Sequence, residues 1–590
     1  MNNKINKKIN KYHFWIESIS VVWKVISRQR KLQFITLIGL NTFSAVADTL
    51  SLASLIPFLG FLLNPEKVTK VFPEFFQELT YSNQFLLICL LYFILVLIAG
   101  VVRMANLWIN NKISFTLGSD IGRIIFYKTI NSGYNNISRV STNEFVDTLI
   151  KKNDALVSGG IIPIVQLLSS GLIVIFTVSL LLFVSPIVTL TLAVFIVSIY
   201  LIILILNNKK LKENSYFLSK KTSQLIQIIQ EAIICSVEIT IYKKQKFFTK
   251  KYHTIDLLLR ELEAQNQFHM HSPKIGLEII GILLIAVTAI YFHIQVGEIT
   301  AYIPLLATFA LAAQRLLPNL QQIYAAIINI RSRAAVLEIV INHLRPNPPQ
   351  LTNIKNSKNL KSNWYQIKFE NIEFKYEEYN FATLKKINLT INRGDRIGIY
   401  GTAGGGKTTL AKIIMGLEIP TFGHLYIDNE ICSGLNFPDW YSQLAYVPQS
   451  IPLLNASIIN NIAFGEAELE IDIESVKKAA EDVRFADDIQ KLPNSYDTLV
   501  GEFGNKLSGG QKLKLGLARA LYRKAKLLVL DEYTGALDKD TEGEIVNVIK
   551  NLSKDITILI ISHRPEDMEF CEKFIRVDQG SIINLNEYKS

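Results

Sequence analysis

Long apolar runs dominate the first 345 residues of the chain, whereas later residues show short apolar runs that alternate with polar segments. Six of the early runs are long enough, as helices, to cross the roughly 30 Å hydrocarbon core of a bilayer. The third run is separated from the fourth only by a turn at Ser185-Pro186, so we expect a hairpin there. The six predicted spans are Phe34–Leu63, Phe85–Leu107, Ile161–Phe183, Ile187–Leu206, Gly276–Ile294 and Tyr302–Tyr324.

The charge pattern gives the spans an orientation. The net charge is +11, and basic residues concentrate in the two long loops between spans two and three and between spans four and five. The positive-inside rule therefore places both loops and both termini in the cytoplasm, with the spans in the inner membrane. A basic chain could also bind nucleic acid. Because its basic residues lie between apolar runs, we predict contact with a lipid bilayer and no nucleic-acid partner. The polar loops keep a helical period, so we expect the membrane helices to continue into the cytosol.

Composition changes divide the chain into four predicted segments. Residues 1–30 mix aromatic and basic residues, which is typical of an interfacial helix, although a plain cytoplasmic helix is the alternative. Residues 31–345 hold the spans and their loops, and residues 346–364 form a proline-rich and polar linker. Residues 365–590 have the pattern of an α/β domain. The N-terminus does not have the pattern of a cleaved signal peptide, and the four cysteines are too far apart in sequence for zinc spacing.

A glycine-rich loop follows the predicted strand Arg396–Tyr400. The sequence GTAGGGKTTL, Gly401 to Leu410, fits the phosphate-binding pattern G-x-x-x-x-G-K-[ST] between a strand and a helix. The amide groups of such a loop and the helix N-terminus favour anions. We therefore expect ATP phosphates to contact a loop made of Gly401, Thr402, Ala403, Gly404, Gly405, Gly406, Lys407, Thr408 and Thr409. Lys407 would reach the β- and γ-phosphates, and Thr408 would offer its hydroxyl to Mg²⁺.

Two carboxylates follow a second apolar strand. Leu527–Leu530 reads as a strand buried on both faces, and Asp531 and Glu532 come directly after it. Acids at the end of a buried strand need a partner for their charge. We predict that Asp531 holds Mg²⁺ through its hydration shell and that Glu532 orients or activates the attacking water.

The segment LSGGQ, Leu507 to Gln511, together with the two elements above, resembles the ATPase domain of ATP-binding cassette (ABC) transporters. The resemblance implies roles for further residues in the same order. Tyr376 would stack on adenine, and Gln449 would contact Mg²⁺. His563 would contact the γ-phosphate. The residues that the resemblance assigns to the ATP of a partner domain are Ser508, Gly509, Gly510, Gln511 and Asp538.

The resemblance also implies an architecture. The expected fold is a membrane α-helical bundle of six transmembrane helices, the ABC exporter fold, joined to a cytoplasmic α/β P-loop ATPase domain. Because the chain has half of the family's usual complement, we expect a homodimer with ATP and Mg²⁺ at two hydrolytic sites. Residues near Tyr134–Asn143 and Ser236–Lys243 would transmit movement to the membrane helices. Tyr533-Thr534-Gly535 departs from the common Ala-Thr-Ser. Tyr533 either packs under the catalytic loop or tunes closure of the dimer.

Two acidic residues and two arginines lie within the predicted spans, where charges are costly and often functional. They are Asp48, Arg103, Glu278 and Arg315. The surrounding segments resemble the bacterial flippases of lipid-linked oligosaccharides, which implies an amphipathic substrate with a polyprenyl tail, a pyrophosphate and a glycan. Snorkelling or a structural Arg–Glu pair is the alternative role for these residues. Exporters of peptides, glycolipids or drugs with the same fold remain open, as does an ATPase that gates a channel.

Overall fold

The computed structural model describes residues 20–585, without residues 64, 70–73, 297–302, 346–363, 377–380, 429, 432–437, 536, 538 and 565. The chain divides into two compact units. The helical unit comprises Met1–Asn131 and Ser138–Pro346, and the sheet unit comprises Ser132–Ile137 and Asn347–Ser590. The change of unit near residue 346 lies beside the predicted start of the linker. Most of that linker falls outside the described residues, as do residues 1–19 of the predicted interfacial helix.

The helical unit consists of helices because a helix satisfies its own backbone hydrogen bonds, which lipid cannot do. Residues 20–25 are helical. The helices that follow are Arg28–Ala53, Leu55–Leu63, Pro65–Thr69, Glu74–Gln77, Tyr81–Ile130, Thr142–Asp147, Asn153–Leu156, Ile162–Val184, Pro186–Ile234, Ser236–Ile241, Gln245–Val296, Ile303–Ser332 and Ala334–Leu344. Two π-helical turns, Thr148–Lys152 and Val157–Ile161, interrupt the third long stretch. The helix Tyr134–Arg139 begins in the sheet unit and ends in the helical unit.

The predicted spans coincide with long helices wherever the structure describes them. Tyr81–Ile130 has 50 residues and Gln245–Val296 has 52, so each is about 75 Å long at 1.5 Å per residue. That length exceeds a bilayer, as the polar, helix-periodic loops predicted. Among the described residues, three helical stretches are long and apolar enough to count as candidate spans: Arg28–Leu62, Tyr81–Ile130 and Glu144–Val184. The first residue of the sixth prediction, Tyr302, lies outside the described residues, and its helix begins at Ile303.

The predicted hairpin between spans three and four is present. One helix ends at Val184 and the next begins at Pro186, so Ser185 is the C-cap of the first helix and the N-cap of the second. Proline suits the first position of a helix because its missing amide would have no partner there.

The sheet unit contains two sheets. β1 (Gln366–Phe374), β2 (Leu384–Asn392), β4 (Phe422–Ile427) and β5 (Glu430–Ile431) form an antiparallel sheet in the order β2-β1-β4-β5. The strands of the second sheet are β3 (Arg396–Tyr400), β6 (Leu444–Val447), β7 (Leu527–Asp531), β8 (Thr557–Ile561), β9 (Lys573–Asp578) and β10 (Ser581–Leu585). They lie in the order β10-β9-β3-β8-β7-β6. The α-helices of the sheet unit are Lys407–Ile414, Pro438–Ser442, Ile458–Ile462, Ile473–Asp482, Ala486–Gln490, Gly509–Tyr522 and Lys539–Lys550. Single 3-10 turns lie at Ser495–Asp497, Glu502–Gly504 and Glu566–Met568.

The parallel core of the second sheet positions the site. β6, β7, β8 and β3 run parallel, with Leu530 beside Val447 and Asp531 beside Ile561. Every residue of β7 and β8 is buried, which confirms the prediction of a fully buried strand before Asp531. Because the carboxyl ends of parallel strands meet at one edge, the loops after these four strands converge there.

Candidate nucleotide-binding site

The glycine-rich loop after β3 has a backbone that other residues would not tolerate. Gly401 has φ of +146°, and a Cβ there would lie 1.8 Å from the carbonyl oxygen of Val577. Gly406, with φ of +105°, is the N-cap of the helix Lys407–Ile414. The loop therefore turns sharply into the N-terminus of this helix. The backbone amides of the loop and of the first helical turn are the groups that would bind an anion.

Lys407 lies across the mouth of that loop. Its side chain is buried, and Nζ donates to the carbonyl oxygens of Gly401, at 3.1 Å, and Thr402, at 3.0 Å. Burial lowers the pKa of Lys407, whereas the carboxylates of Glu532 and Asp531 favour its charged form. The loops after β3 and β7 therefore place one cation and two carboxylates at one sheet edge.

Asp531 and Thr408 bring two oxygen ligands to one point. The carboxylate of Asp531 accepts hydrogen bonds from Thr408 and from the phenol of Tyr446, the latter at 3.2 Å. Burial raises the pKa of Asp531, and the two hydroxyl donors act in the opposite direction. A carboxylate beside a hydroxyl is a hard-oxygen donor set, which suits Mg²⁺. The residues present therefore fit the ion that an ATPase of this class uses, and Mg²⁺ would supply charge neutralisation at the β- and γ-phosphates.

Glu532 and His563 form a pair at the ends of adjacent strands. His563 Nε2 lies 2.9 Å from Glu532 Oε1, and both side chains remain partly exposed, at 45% and 33%. Glu532 has φ of +47°, a left-handed conformation that is unfavourable for a residue with a side chain. Its amide donates to the carbonyl of Ile561 at 2.8 Å. The structure thus brings together two residues that lie 31 positions apart and were predicted to act on the same phosphate.

Tyr376 and Gln449 occupy the remaining positions of the predicted site. The Tyr376 ring packs edge-on against Phe374, at 4.7 Å between centroids, and its hydroxyl is 3.3 Å from that of Thr409. The residue predicted to stack on adenine therefore contacts the helix that follows the phosphate loop. Gln449 follows β6 and its side chain is exposed at the same sheet edge.

The LSGGQ segment forms the N-terminus of a helix. Ser508 caps Gly509–Tyr522, with its Oγ accepting from the Gln511 amide at 3.2 Å and Gln511 Oε1 accepting from the Ser508 amide at 3.0 Å. A Cβ at Gly510 would lie 2.7 Å from Thr541, so the glycine permits close packing. This 14-residue helix has the positive end of its dipole at the LSGGQ segment, where it would favour an anion. Asp538 lies outside the described residues, and the contact of these residues with a second chain stays a prediction.

Sequence reasoning missed two residues of this site. Tyr446, whose hydroxyl contacts Asp531, lies at the exposed position of β6 next to the predicted Gln449 loop. The four residues of β6, Leu-Ala-Tyr-Val, are all apolar or aromatic, so no alternation or motif marks this tyrosine. Asp567 is the second; its side chain bonds to the loops of both Glu532 and His563. No motif marks it.

Tyr533 packs rather than faces solvent. It is 5% exposed, and its hydroxyl donates to the carbonyl of Asp567 at 3.3 Å. Burial, with the nearby Asp567 charge, raises the pKa of Tyr533 above its ordinary range. This position favours the first of the two roles considered for Tyr533, packing under the catalytic loop.

The sheet unit also includes residues Ser132–Ile137, from the first of the two segments predicted to transmit movement. The ammonium of Lys412 lies over the Tyr134 ring, 5.5 Å from its centroid. Lys412 is on the phosphate-loop helix Lys407–Ile414. Tyr134 is thus within contact of the helix that begins at the phosphate loop.

Three of the four charged residues predicted within the membrane meet in the helical unit. Arg103 forms an ion pair with Asp48, whose side chain is 4% exposed, against 57% for that of Arg103. Arg315 Nη1 donates to the backbone oxygen of Asp48 at 2.5 Å and to Ser51 Oγ at 2.8 Å. Glu278 instead pairs with Lys274 on its own helix, at 3.7 Å. The cluster of Asp48, Arg103 and Arg315 therefore carries one more positive than negative charge.

A row of polar contacts continues from this charge cluster between the two helices that carry Asp48 and Arg103. The side-chain oxygen of Asn41 accepts from the amide groups of Asn106, at 2.9 Å, and Asn110, at 3.2 Å. Asn41 and Ser44 lie two turns and one turn before Asp48, respectively, and Ser44 Oγ is buried without a hydrogen-bond partner among the described residues. Polar groups join membrane helices because lipid offers them no other partner.

Comparisons with known proteins agree with the site. The ABC transporter family model matches residues 384–535. The ATP-dependent lipid A-core flippase of Ralstonia nicotianae is 34% identical over 224 residues, which cover 38% of each chain. The protein of the same name from Alcanivorax borkumensis is 26% identical over 493 residues, 82% of this chain and 81% of the relative. The alpha-hemolysin translocation ATP-binding protein of Escherichia coli is 38% identical over 224 residues, 38% of this chain and 31% of the relative.

Comparison of whole structures extends the likeness beyond the ATPase region. A bacterial Atm1-family ABC exporter with ATP bound superposes with a TM-score of 0.76 at 18% identity, covering 95% of this chain and 96% of the other. That similarity shows the fold, including the helical unit, which the family model does not reach. The predicted fold class is confirmed. Residues 384–535 therefore match the ABC transporter family model, and the whole chain has the fold of that ABC exporter.

Proposed function

We propose that two copies of this chain form a homodimer that couples ATP hydrolysis to movement of an amphipathic substrate across the cytoplasmic membrane. The favoured substrate is a lipid-linked oligosaccharide with a polyprenyl-pyrophosphate group. The ATPase domains and both termini lie in the cytoplasm in this proposal, as the basic loops predict.

The charge cluster of Asp48, Arg103 and Arg315 carries the substrate assignment. Arg103 pairs with the Asp48 carboxylate, whereas Arg315 donates to the backbone oxygen of Asp48, so the cluster keeps a net positive charge within the predicted spans. Arginine forks match phosphate oxygens in two parallel hydrogen bonds. The side chain of Arg103 is more than half exposed, so it can reach a second acceptor while it pairs with Asp48. A pyrophosphate between a lipid and a glycan fits this surface. Glu278, on a separate exposed pair, remains a weaker candidate for substrate contact.

The nucleotide site supports the hydrolytic part of the proposal. Lys407 and the phosphate loop bind the phosphates, Thr408 and Asp531 hold Mg²⁺ with help from Gln449, and Glu532 orients the attacking water. His563, 2.9 Å from Glu532, contacts the γ-phosphate. Charge neutralisation and a positioned water are the two requirements of phosphoryl transfer to water.

A homodimer follows from the number of parts. The chain supplies one phosphate loop and one LSGGQ helix, and the family resemblance places each such helix against the phosphates of a second chain. Phe503, in the turn before LSGGQ, is 85% exposed and has φ of +50°, which is consistent with a loop shaped for an external contact. Ser508, Gly509, Gly510, Gln511 and Asp538 would then complete the partner's site.

A phosphorylated glycolipid is the second candidate substrate. Several relatives are named ATP-dependent lipid A-core flippases, and these names support a lipid substrate for this chain. A diphosphate linkage within the lipid and phosphates on a sugar present the same oxygen acceptors to Arg103 and Arg315. The lipid part of the substrate separates the two candidates.

The substrate is tested with purified protein in proteoliposomes. A polyprenyl-pyrophosphate saccharide, a phosphorylated glycolipid and a hydrophobic peptide are offered in turn, and ATP-dependent loss from one leaflet is measured. We expect translocation of the first, and Arg103→Ala should lower its rate about tenfold because a charge-assisted hydrogen bond is lost. Arg260→Ala, an exposed arginine on the helix Gln245–Val296, is the matched control.

Two results would overturn parts of the proposal. Translocation of the glycolipid alone would replace the substrate, and translocation of the peptide alone would remove the pyrophosphate assignment. A particle mass of one chain in the active preparation would overturn the homodimer.

A further inference from the structure

Asp567 lies in the 3-10 turn Glu566–Met568, shortly after β8, and is completely buried. It belongs to none of the nucleotide-binding motifs. A buried carboxylate is costly unless hydrogen bonds compensate it, so its contacts show what it holds.

The hydrogen bonds of Asp567 reach two separate loops. Its Oδ2 accepts from Thr534 Oγ1 at 2.8 Å and also from Ser562 Oγ. Ser562 Oγ in turn accepts the amide of Arg564 at 3.0 Å, and the backbone carbonyl of Asp567 accepts from Tyr533. Thr534, Ser562 and Tyr533 are all buried. One carboxylate oxygen therefore bridges the turn after β7 and the turn after β8.

Both bridged residues are close in sequence to the paired side chains of the nucleotide site. Thr534 is two residues after Glu532, and Ser562 is directly before His563. Glu532 has a left-handed backbone, which persists only where the surrounding contacts over-determine it. Asp567 supplies two of these contacts, through Thr534 and Tyr533.

The second oxygen of Asp567 argues against a purely stabilising role. Oδ1 is buried without a hydrogen-bond partner among the described residues. Such an orphaned acceptor destabilises a fold, so a neutral side chain would serve packing better. What the carboxylate adds is a strong acceptor for two hydroxyl donors at once.

We propose that Asp567 is a positioning residue for hydrolysis: its carboxylate ties the Glu532 turn to the His563 turn, and this tie sets the distance between the two catalytic side chains. The inference rests on the roles proposed above for Glu532 and His563. Loss of the tie should let the turns separate without altering the phosphate loop, which lies after a different strand.

Steady-state ATPase assays on the full-length protein test this role. Asp567→Ala should lower kcat between about tenfold and a hundredfold, since small misplacements of catalytic groups have effects of that size, and KM for ATP should stay within about twofold. Asp567→Asn keeps one carbonyl acceptor for both hydroxyls and should recover most of kcat. Thr534→Val, which removes one of the two donors, should fall between them and guards against misfolding of Asp567→Ala.

The matched control lies at the other end of the same strand. Thr557, the first residue of β8, is also completely buried, and its hydroxyl accepts the Gly394 amide at 2.9 Å. Thr557→Val should lower thermal stability but leave kcat unchanged. Equal kcat losses in Thr557→Val and Thr534→Val would overturn the proposal, as would a normal kcat in folded Asp567→Ala. Glu532→Gln is assayed alongside. If it keeps turnover, the catalytic role itself fails; if it is inactive and Asp567→Ala is normal, only the positioning role fails.

Discussion

The nucleotide site and the membrane charge cluster are assembled in opposite ways. At the nucleotide site, most of the predicted functional residues lie in short segments directly after parallel strands, and these segments meet at one edge of the sheet. In the helical unit, Asp48, Arg103 and Arg315 come from three long helices, and Arg103 and Arg315 lie 55 and 267 positions after Asp48. The first site is specified by motifs, and the second by side-chain pairing between distant segments.

This difference explains what each site can tolerate. At the strand edge the backbone of the phosphate loop packs directly against a neighbouring strand, so a single added atom at Gly401 can disrupt the loop. The helical cluster depends on charge balance, and its helices are held by many other contacts. Changes at the strand edge should therefore abolish chemistry, whereas changes in the cluster should alter transport and leave chemistry intact.

The largest effect is expected at Glu532. Glu532→Gln should lower ATP turnover at least about a hundredfold, because a positioned general base contributes that much, and should leave ATP binding intact. Turnover and nucleotide affinity are measured on the same preparation. Glu569→Gln, an exposed residue of the same unit, should behave as the unchanged protein. A fall in ATP affinity equal to the fall in turnover would contradict a role confined to hydrolysis.

Gly401→Ala should give the next largest effect. Its Cβ would lie 1.8 Å from the Val577 carbonyl oxygen, so the loop must shift and ATP affinity should fall about tenfold or more. Gly465→Ala is the matched control, since Gly465 also has positive φ, at +85°, but nothing within 4 Å of the added atom. Nucleotide titration compares the two. Similar losses in both variants would mean that strain, rather than the close approach, is responsible.

Tyr134→Ala should have a smaller effect and tests whether the two regions communicate. It removes the cation–π contact with Lys412, worth about 0.5–1 kcal/mol at an exposed site, so stimulation of ATPase by substrate should fall about twofold to fivefold. Basal ATPase should be unchanged, and Tyr134→Phe, which keeps the ring, should retain the stimulation. Equal loss in the Phe variant would assign the effect to the hydroxyl.

Tyr533→Phe should have the smallest effect. The ring keeps its packing and only the hydrogen bond to the Asp567 carbonyl is lost, which is worth about 1 kcal/mol in stability. The ATPase rate should stay within about twofold, measured per folded molecule. A tenfold fall would place the Tyr533 hydroxyl within the catalytic machinery rather than beneath it.

The sequence was sufficient for most of the nucleotide site because its chemistry is local. Three elements, namely the phosphate loop, the buried strand before Asp531 and the LSGGQ segment, are each encoded by no more than about ten consecutive residues. Tyr446 and Asp567 escaped because they act through partners 85 and 33 positions away, and neither lies in a recurring pattern. The prediction that His563 lies near the same phosphate as Glu532 relied on family resemblance and not on spacing.

The helical unit was predictable in outline only. Hydropathy gave the spans, and the polar loops gave their extension beyond the membrane. Hydropathy cannot give the pairing of Asp48 with Arg103 rather than of Glu278 with an arginine, because that depends on which helices are neighbours. The π-helical turns near Lys152 and Gly159 were also missed, since no residue pattern separates them from an ordinary helix.

In the proposed function, the charge cluster contributes to movement of the substrate while the strand edge performs hydrolysis. The most direct test is the number of polyprenyl-pyrophosphate saccharides moved per ATP hydrolysed in one proteoliposome preparation, for the unchanged protein and for Arg315→Ala. We expect Arg315→Ala to hydrolyse ATP at a basal rate within about twofold of the unchanged protein, while the number of saccharides moved per ATP falls about tenfold. An unchanged ratio, or loss of hydrolysis and transport in equal measure, would contradict it.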